Sequence, residues 1–138
     1  MTPSEQMPQP GGAAPYCVIS GGDEHDRLAA IARGEAQSRR RRNSLIRYDF
    51  FAEPAWDMLL ELYIHRHGGR SINLESLGAV TVAGPTTALR WIGLLIDKNL
   101  IAWRHPGTGE SDIQIALSDR GVEEMEKYLR DRLLRAAP

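Results

Sequence analysis

Pro54, Pro85 and Pro106 are the only prolines between residues 53 and 134, and their positions divide that stretch into elements. Proline lacks an N–H and fixes φ, so it is accepted in turns and in the first turn of a helix and rejected from helix interiors. After Pro54, the residues Trp56, Leu59, Leu60, Tyr63 and Ile64 recur at helical spacing, and Gly68-Gly69 ends the segment. Arg70-Ser71-Ile72 leaves room for only a short strand. Asn73 is placed to cap a short helix over 74–80, with Leu74, Leu77 and Val80 inward. A turn over 81–84 precedes a helix that starts at Pro85 and carries Ala88, Leu89, Ile92, Leu95 and Ile96 at core spacing to Lys98; Asn99 suits a left-handed exit. Residues 100–105 and 112–117 read as two strands around Pro106-Gly107-Thr108-Gly109, the second with Ile113, Ile115 and Leu117 alternating inward. Ser118 caps a last helix to about Leu134, striped by Val122, Met125, Leu129 and Leu133. The expected fold is mainly α with a small β-hairpin, in the α+β class.

A chain of 138 residues can bury one core of ordinary size, so one domain is expected. Residues 1–22 hold Pro3, Pro8, Pro10, Pro15 and two glycine pairs, a composition that buries too little surface to offset its ordering entropy. They read as a disordered arm, interrupted by the apolar Tyr16-Cys17-Val18-Ile19. Residues 23–138 then form the domain: an N-terminal helix and basic segment over 23–48, a core over 54–117 and a C-terminal helix over 118–138. Asp23 is placed to cap the first helix, which runs to about Arg42 with Leu28, Ile31 and Ala32 on one face. So thin a stripe needs another surface to lean on, a second subunit among the candidates.

Helix, short strand, helix, turn, helix, hairpin, helix is the layout of a winged helix-turn-helix. The run Asp49-Phe50-Phe51-Ala52-Glu53-Pro54-Ala55-Trp56-Asp57-Met58-Leu59-Leu60, then Thr86-Thr87-Ala88-Leu89-Arg90-Trp91-Ile92, then Leu117-Ser118-Asp119-Arg120-Gly121, resembles the small bacterial MarR-like transcriptional regulators. The resemblance implies a homodimer on double-stranded DNA, reading a palindromic operator with a recognition helix in each major groove and a wing toward the minor groove. It also implies dimerisation through the flanking N- and C-terminal helices, which makes Leu28, Ile31, Val122, Met125, Leu129 and Leu133 the expected interface. Members of the family often bind a small aromatic or phenolic effector near that interface. Trp56, Tyr63 and Tyr48 could line such a pocket, although aromatics at helical spacing also serve as plain core.

The start of the helix over 85–98 offers Thr86, Thr87 and Arg90 outward, types that reach base edges and phosphates, and its N-terminal amides favour a phosphate. Capping and solvent exposure also account for the threonines, and a salt bridge with Asp97 for Arg90. Trp91 reads as packing. Ser76 on the preceding helix joins the expected contacts, as do Arg70 at the short strand and Arg104 and His105 at the base of the wing. Arg39, Arg40, Arg41 and Arg42, with Arg47, could hold the phosphate backbone; the same run also reads as a solvated helix end complementing the helix dipole. The formal net charge of −1 gives no global attraction to nucleic acid, so any binding must come from such local patches. Arginine, which greatly outnumbers lysine, suits bidentate contacts to phosphate and guanine, but GC-rich codon usage produces the same bias.

Two features depart from the family pattern. The wing tip carries Glu110 and Asp112 without a cation, and Leu94, one turn beyond Arg90, stands where such regulators carry a polar or basic residue. An apolar residue there fits a protein partner. The reading is therefore a dimeric, sequence-specific DNA-binding transcriptional regulator using the helix over 85–98, with a winged-helix module docking on another regulator or RNA polymerase as the alternative.

No catalytic chemistry is expected, because no nucleophile has a credible His and acid around it and no phosphate-binding glycine loop appears. His65 and His67 lie two apart on a helix and point to different faces, so neither a metal site nor a cofactor is expected. The lone Cys17 permits no intrachain disulfide, no apolar run is long enough to span a membrane, and residues 1–15 lack a signal-peptide pattern. A cytoplasmic, nucleoid-associated protein is the expectation.

Overall fold

The computed structural model describes residues 22–46, 53–107 and 112–136. Their elements are α1 (Asp23–Leu45), α2 (Pro54–His67), β1 (Ile72–Asn73), α3 (Leu74–Ala79), α4 (Pro85–Asp97), β2 (Ile101–Arg104), β3 (Gln114–Leu117) and α5 (Asp119–Ala136). The chain is thus mainly helical with one small antiparallel sheet, as expected. The arm with its 16–19 patch, Arg47, Tyr48 and the wing tip with Glu110 lie outside the described residues.

Punctuation by Pro and Gly is accurate to a residue or two. Pro54 and Pro85 occupy the first turns of α2 and α4, and Gly69 takes φ 74° just past α2. Asn99 takes φ 60° beyond α4, the left-handed exit expected of it. Asn73 caps α3 by accepting from the Ser76 N–H at 2.7 Å, and Ser118 caps α5 by accepting from the Gly121 N–H at 3.0 Å. The first helix differs. Asp23 lies inside it, Gly22 holds the N-cap position without a side-chain hydrogen bond, and the helix continues through the arginine run to Leu45.

The sheet has order β1-β3-β2, so the expected hairpin gains a third strand. Ile115 stands opposite both Ile72 of β1 and Trp103 of β2. As the central strand, β3 is covered on both faces: Ile115, Ala116 and Leu117 are all buried, where alternation predicts only the odd-numbered residues inside.

Helix α2 runs through the middle of the molecule, packed by α1, α4, α5 and β3. Its burial is accordingly not confined to one face, since Met58 and Leu62 are fully buried along with Leu60 and Tyr63. Small residues on α1, namely Ala29, Ala32 and Ala36, sit against this core and let the helices approach. Gly121, in the first turn of α5, lies so close to the residue before β2 that a Cβ there would stand 2.1 Å from the Leu100 carbonyl oxygen. Leu89, expected in the core, is 54% exposed, because it lies 100° around α4 from Ala88 and borders a groove between α3 and α4.

Candidate nucleic-acid interface

Helix α4 buries Ala88, Ile92 and Leu95 and half-buries Trp91 and Ile96, which fixes the opposite side outward. At 100° per residue that side carries Thr86, Arg90 and Leu94, a ridge at four-residue intervals, with Gly93 and Asp97 beside it. All five are exposed, while Thr87 is half-buried on the flank. Arg90 makes no hydrogen bond or ion pair among the described residues, the considered bridge to Asp97 included. No side chain caps the start of α4, because Gly84 holds the N-cap with φ 56°, and the first-turn amides of a helix have no partner within it.

Ser76 and Arg70 are exposed on the neighbouring α3 and on the loop before β1. Arg104 is half-buried on β2, paired with Gln114 of β3, and His105 is exposed just beyond it. Between α3 and α4 lies a groove of about 550 Å³ lined by Leu74, Gly78, Val82, Pro85, Leu89 and Ile92, with Glu75 at its edge. Val82 is half exposed there.

The four arginines of the run do not share one face. Consecutive residues of a helix point 100° apart, so four arginines inside α1 face four directions. Arg39 points inward: it is 9% exposed and donates through Nε to Asp57, itself 9% exposed, and through a terminal nitrogen to Glu53 at 3.1 Å. Burial opposes its charge, but the two carboxylates outweigh that and hold the guanidinium above its ordinary value. Arg40 donates to Glu61 at 2.8 Å, and Arg42 is half-buried. Arg40 and Arg41 both face solvent, Arg40 within that surface ion pair. Arg39 is therefore a core ion pair and is withdrawn from the expected phosphate contacts.

Leu28 and Leu129 are fully buried and Met125 is 3% exposed, all within the chain's own core, so these three have almost no surface to offer a second chain. Ile31, Val122 and Leu133 are half-buried, and Leu134 is 75% exposed at the end of α5. α5 instead closes on α1 through a carboxylate. Glu126, 7% exposed, accepts from the Tyr63 hydroxyl at 2.7 Å and lies 3.1 Å from His25 Nδ1 and 3.3 Å from Arg130. Burial first, then the hydrogen bond to Glu126, pushes the Tyr63 phenol far above its ordinary range. Trp56 meets Tyr128 edge to face at 4.9 Å, and Tyr128 donates to Glu35 at 2.9 Å. Of the aromatics considered for an effector pocket, Tyr63 and Trp56 thus have intrachain partners.

His65 donates to the Glu61 carbonyl at 2.8 Å and His67 lies 3.0 Å from Asp26, on separate partners. Arg66 reaches across the molecule, donating to the Leu117 carbonyl at 2.8 Å and to Asp119 at 2.6 Å. The roles of Asp57, Glu126 and Arg66 were not read from the sequence. A charged residue among apolar neighbours on α2, as Asp57 is, was the available signal. No family model, curated protein or solved structure matches the chain. No described helix is long and apolar enough to cross a membrane.

Proposed function

We propose that the protein is a MarR-like winged-helix transcriptional regulator that binds palindromic double-stranded DNA as a dimer, with α3 and α4 as the helix-turn-helix, α4 in the major groove and β2–β3 as the wing. The observation that carries this reading is the outward face of α4, where Thr86 and Arg90 stand exposed at an uncapped helix start. Arginine is the residue best shaped for guanine O6 and N7, and the bare amides suit a phosphate. Ser76, Arg70 and Arg41 supply further exposed donors, with His105 at the base of the wing. Of the expected phosphate contacts Arg39 is held in a buried ion pair and Arg40 in an exposed one, so a modest salt dependence is expected. With each phosphate contact adding roughly one unit to the slope of log K against log salt, a slope of about −2 to −4 per half-site is expected. Selection from a randomised duplex pool followed by a salt titration tests this: enrichment of a twofold-symmetric sequence supports the reading, and no enrichment contradicts it.

The α3–α4 groove favours a second reading, a winged helix that docks another regulator or polymerase. Its apolar lining and the exposed Val82 and Leu89 are what a protein partner covers. Val82→Asp separates the two readings, since it removes docking and leaves an α4-based DNA complex intact.

A further inference from the structure

Two neighbouring residues on the outward side of α4 have no reason inside the chain. Glycine destabilises a helix interior relative to alanine, yet Gly93 stands in the middle of α4, and a Cβ built on it meets nothing within 4 Å. By contrast Gly121 is required by the Leu100 carbonyl. Leu94 follows, apolar and 43% exposed, on the ridge that begins with Thr86 and Arg90. A smooth, side-chain-free spot beside a mixed ridge of hydroxyl, guanidinium and isobutyl groups fits a surface that comes close and is itself mostly polar with one apolar feature. The floor of the major groove has that character: its base edges are hydrogen-bonding groups, and its apolar feature is the C5-methyl of thymine.

We infer that Leu94 contacts a thymine methyl group within two base pairs of the base contacted by Arg90, and that Gly93 allows the backbone of α4 to approach the groove floor there. This rests on the DNA reading above. The spacing follows from geometry: one helical turn advances about 5.4 Å, and base pairs stack about 3.4 Å apart. Arg90 and Leu94, one turn apart, therefore address positions one to two steps removed. Leu94 sets a sequence preference at a position where Arg90 cannot.

The test uses the full chain and the duplex it enriches from a randomised pool, with each thymine replaced in turn by deoxyuridine, which removes only the methyl group. One thymine per half-site is expected to matter, its replacement weakening binding roughly four-fold, as for one methyl group taken out of contact. Leu94→Ala should bind thymine and uracil duplexes alike. Gly93→Ala should melt at a higher temperature yet bind more weakly, whereas Gly34→Ala, at the open helical glycine of α1, should melt higher and bind as wild type. Selective binding by wild type that is indifferent to every uracil overturns this inference and leaves the DNA reading standing. A chain that enriches no duplex overturns the DNA reading, and this inference with it.

Discussion

Asp57 and Arg39 form a pair in which each side chain is about 10% exposed, and a pair so placed matters most when it is broken. Removing Asp57 leaves the buried Arg39 with only the largely exposed Glu53 to compensate it, so the cost is expected to approach the roughly 3 to 5 kcal/mol of a buried charge that has lost its partner. Asp57→Ala is therefore expected to lower the urea midpoint sharply without changing the slope, whereas Arg41→Ala, at a solvent-facing member of the run, should change the unfolding free energy by no more than about 0.5 kcal/mol. Tyr63 makes a separate prediction about pH. Its ordinary value is 10.0 and its folded-state value is higher. Below pH 10 the phenol is neutral in both states and has no effect. Above that, the unfolded chain ionises while the folded one does not, so stability falls as pH rises. Alkaline melting curves should show a decline beginning near pH 10 that is shallower in Tyr63→Phe; an unchanged decline would remove Tyr63 as its source. The steric counterpart is Gly121→Ala, whose Cβ must displace α5 from the Leu100 carbonyl, at an expected loss of about 1 to 3 kcal/mol in denaturant unfolding.

The elements bounded by Pro, Gly, Asn and Ser were legible in the sequence, because those residues act through local backbone chemistry that does not depend on the rest of the fold. Asn73, Ser118 and Asn99 each do what their side chains or φ preferences predict. What escaped the sequence depends on neighbours. Met58 and Leu62 lie off the apolar face of α2 and are buried only because other elements surround that helix. The short strand expected before Asn73 is present as β1, but its pairing with β3, a contact over 40 residues away in the chain, is not legible in the sequence. The arginine run of α1 illustrates the same limit at the candidate site. A contiguous string of cations suggests a patch, but once the helix extends through it, geometry disperses the charges and acids on α2 and at its N-cap claim two of them. Thr86, Arg90 and Leu94 escaped that fate, since the strong amphipathic pattern of α4 already fixed which side faces out.

At the scale of the molecule, a net charge of −1 leaves little long-range attraction to DNA, so the account depends on a small surface used twice by a dimer. With Leu28, Met125 and Leu129 consumed by the chain's own core, a dimer through α1 and α5 has to use Ile31, Val122, Leu133 and the exposed Leu134. Sedimentation is expected to show a dimer for wild type and a folded monomer for Leu134→Asp, its melting temperature lowered only by the lost association; a monomeric wild type would contradict the twofold reading of DNA. The central claim is that the outward face of α4 reads bases, and fluorescence anisotropy of an enriched duplex against a scrambled one, with wild type and Arg90→Ala at two salt concentrations, tests it most directly. The account predicts that wild type prefers the enriched duplex and that Arg90→Ala loses roughly 1 to 3 kcal/mol of binding there, with little change on the scrambled duplex. Equal affinity of both proteins for both duplexes would contradict it.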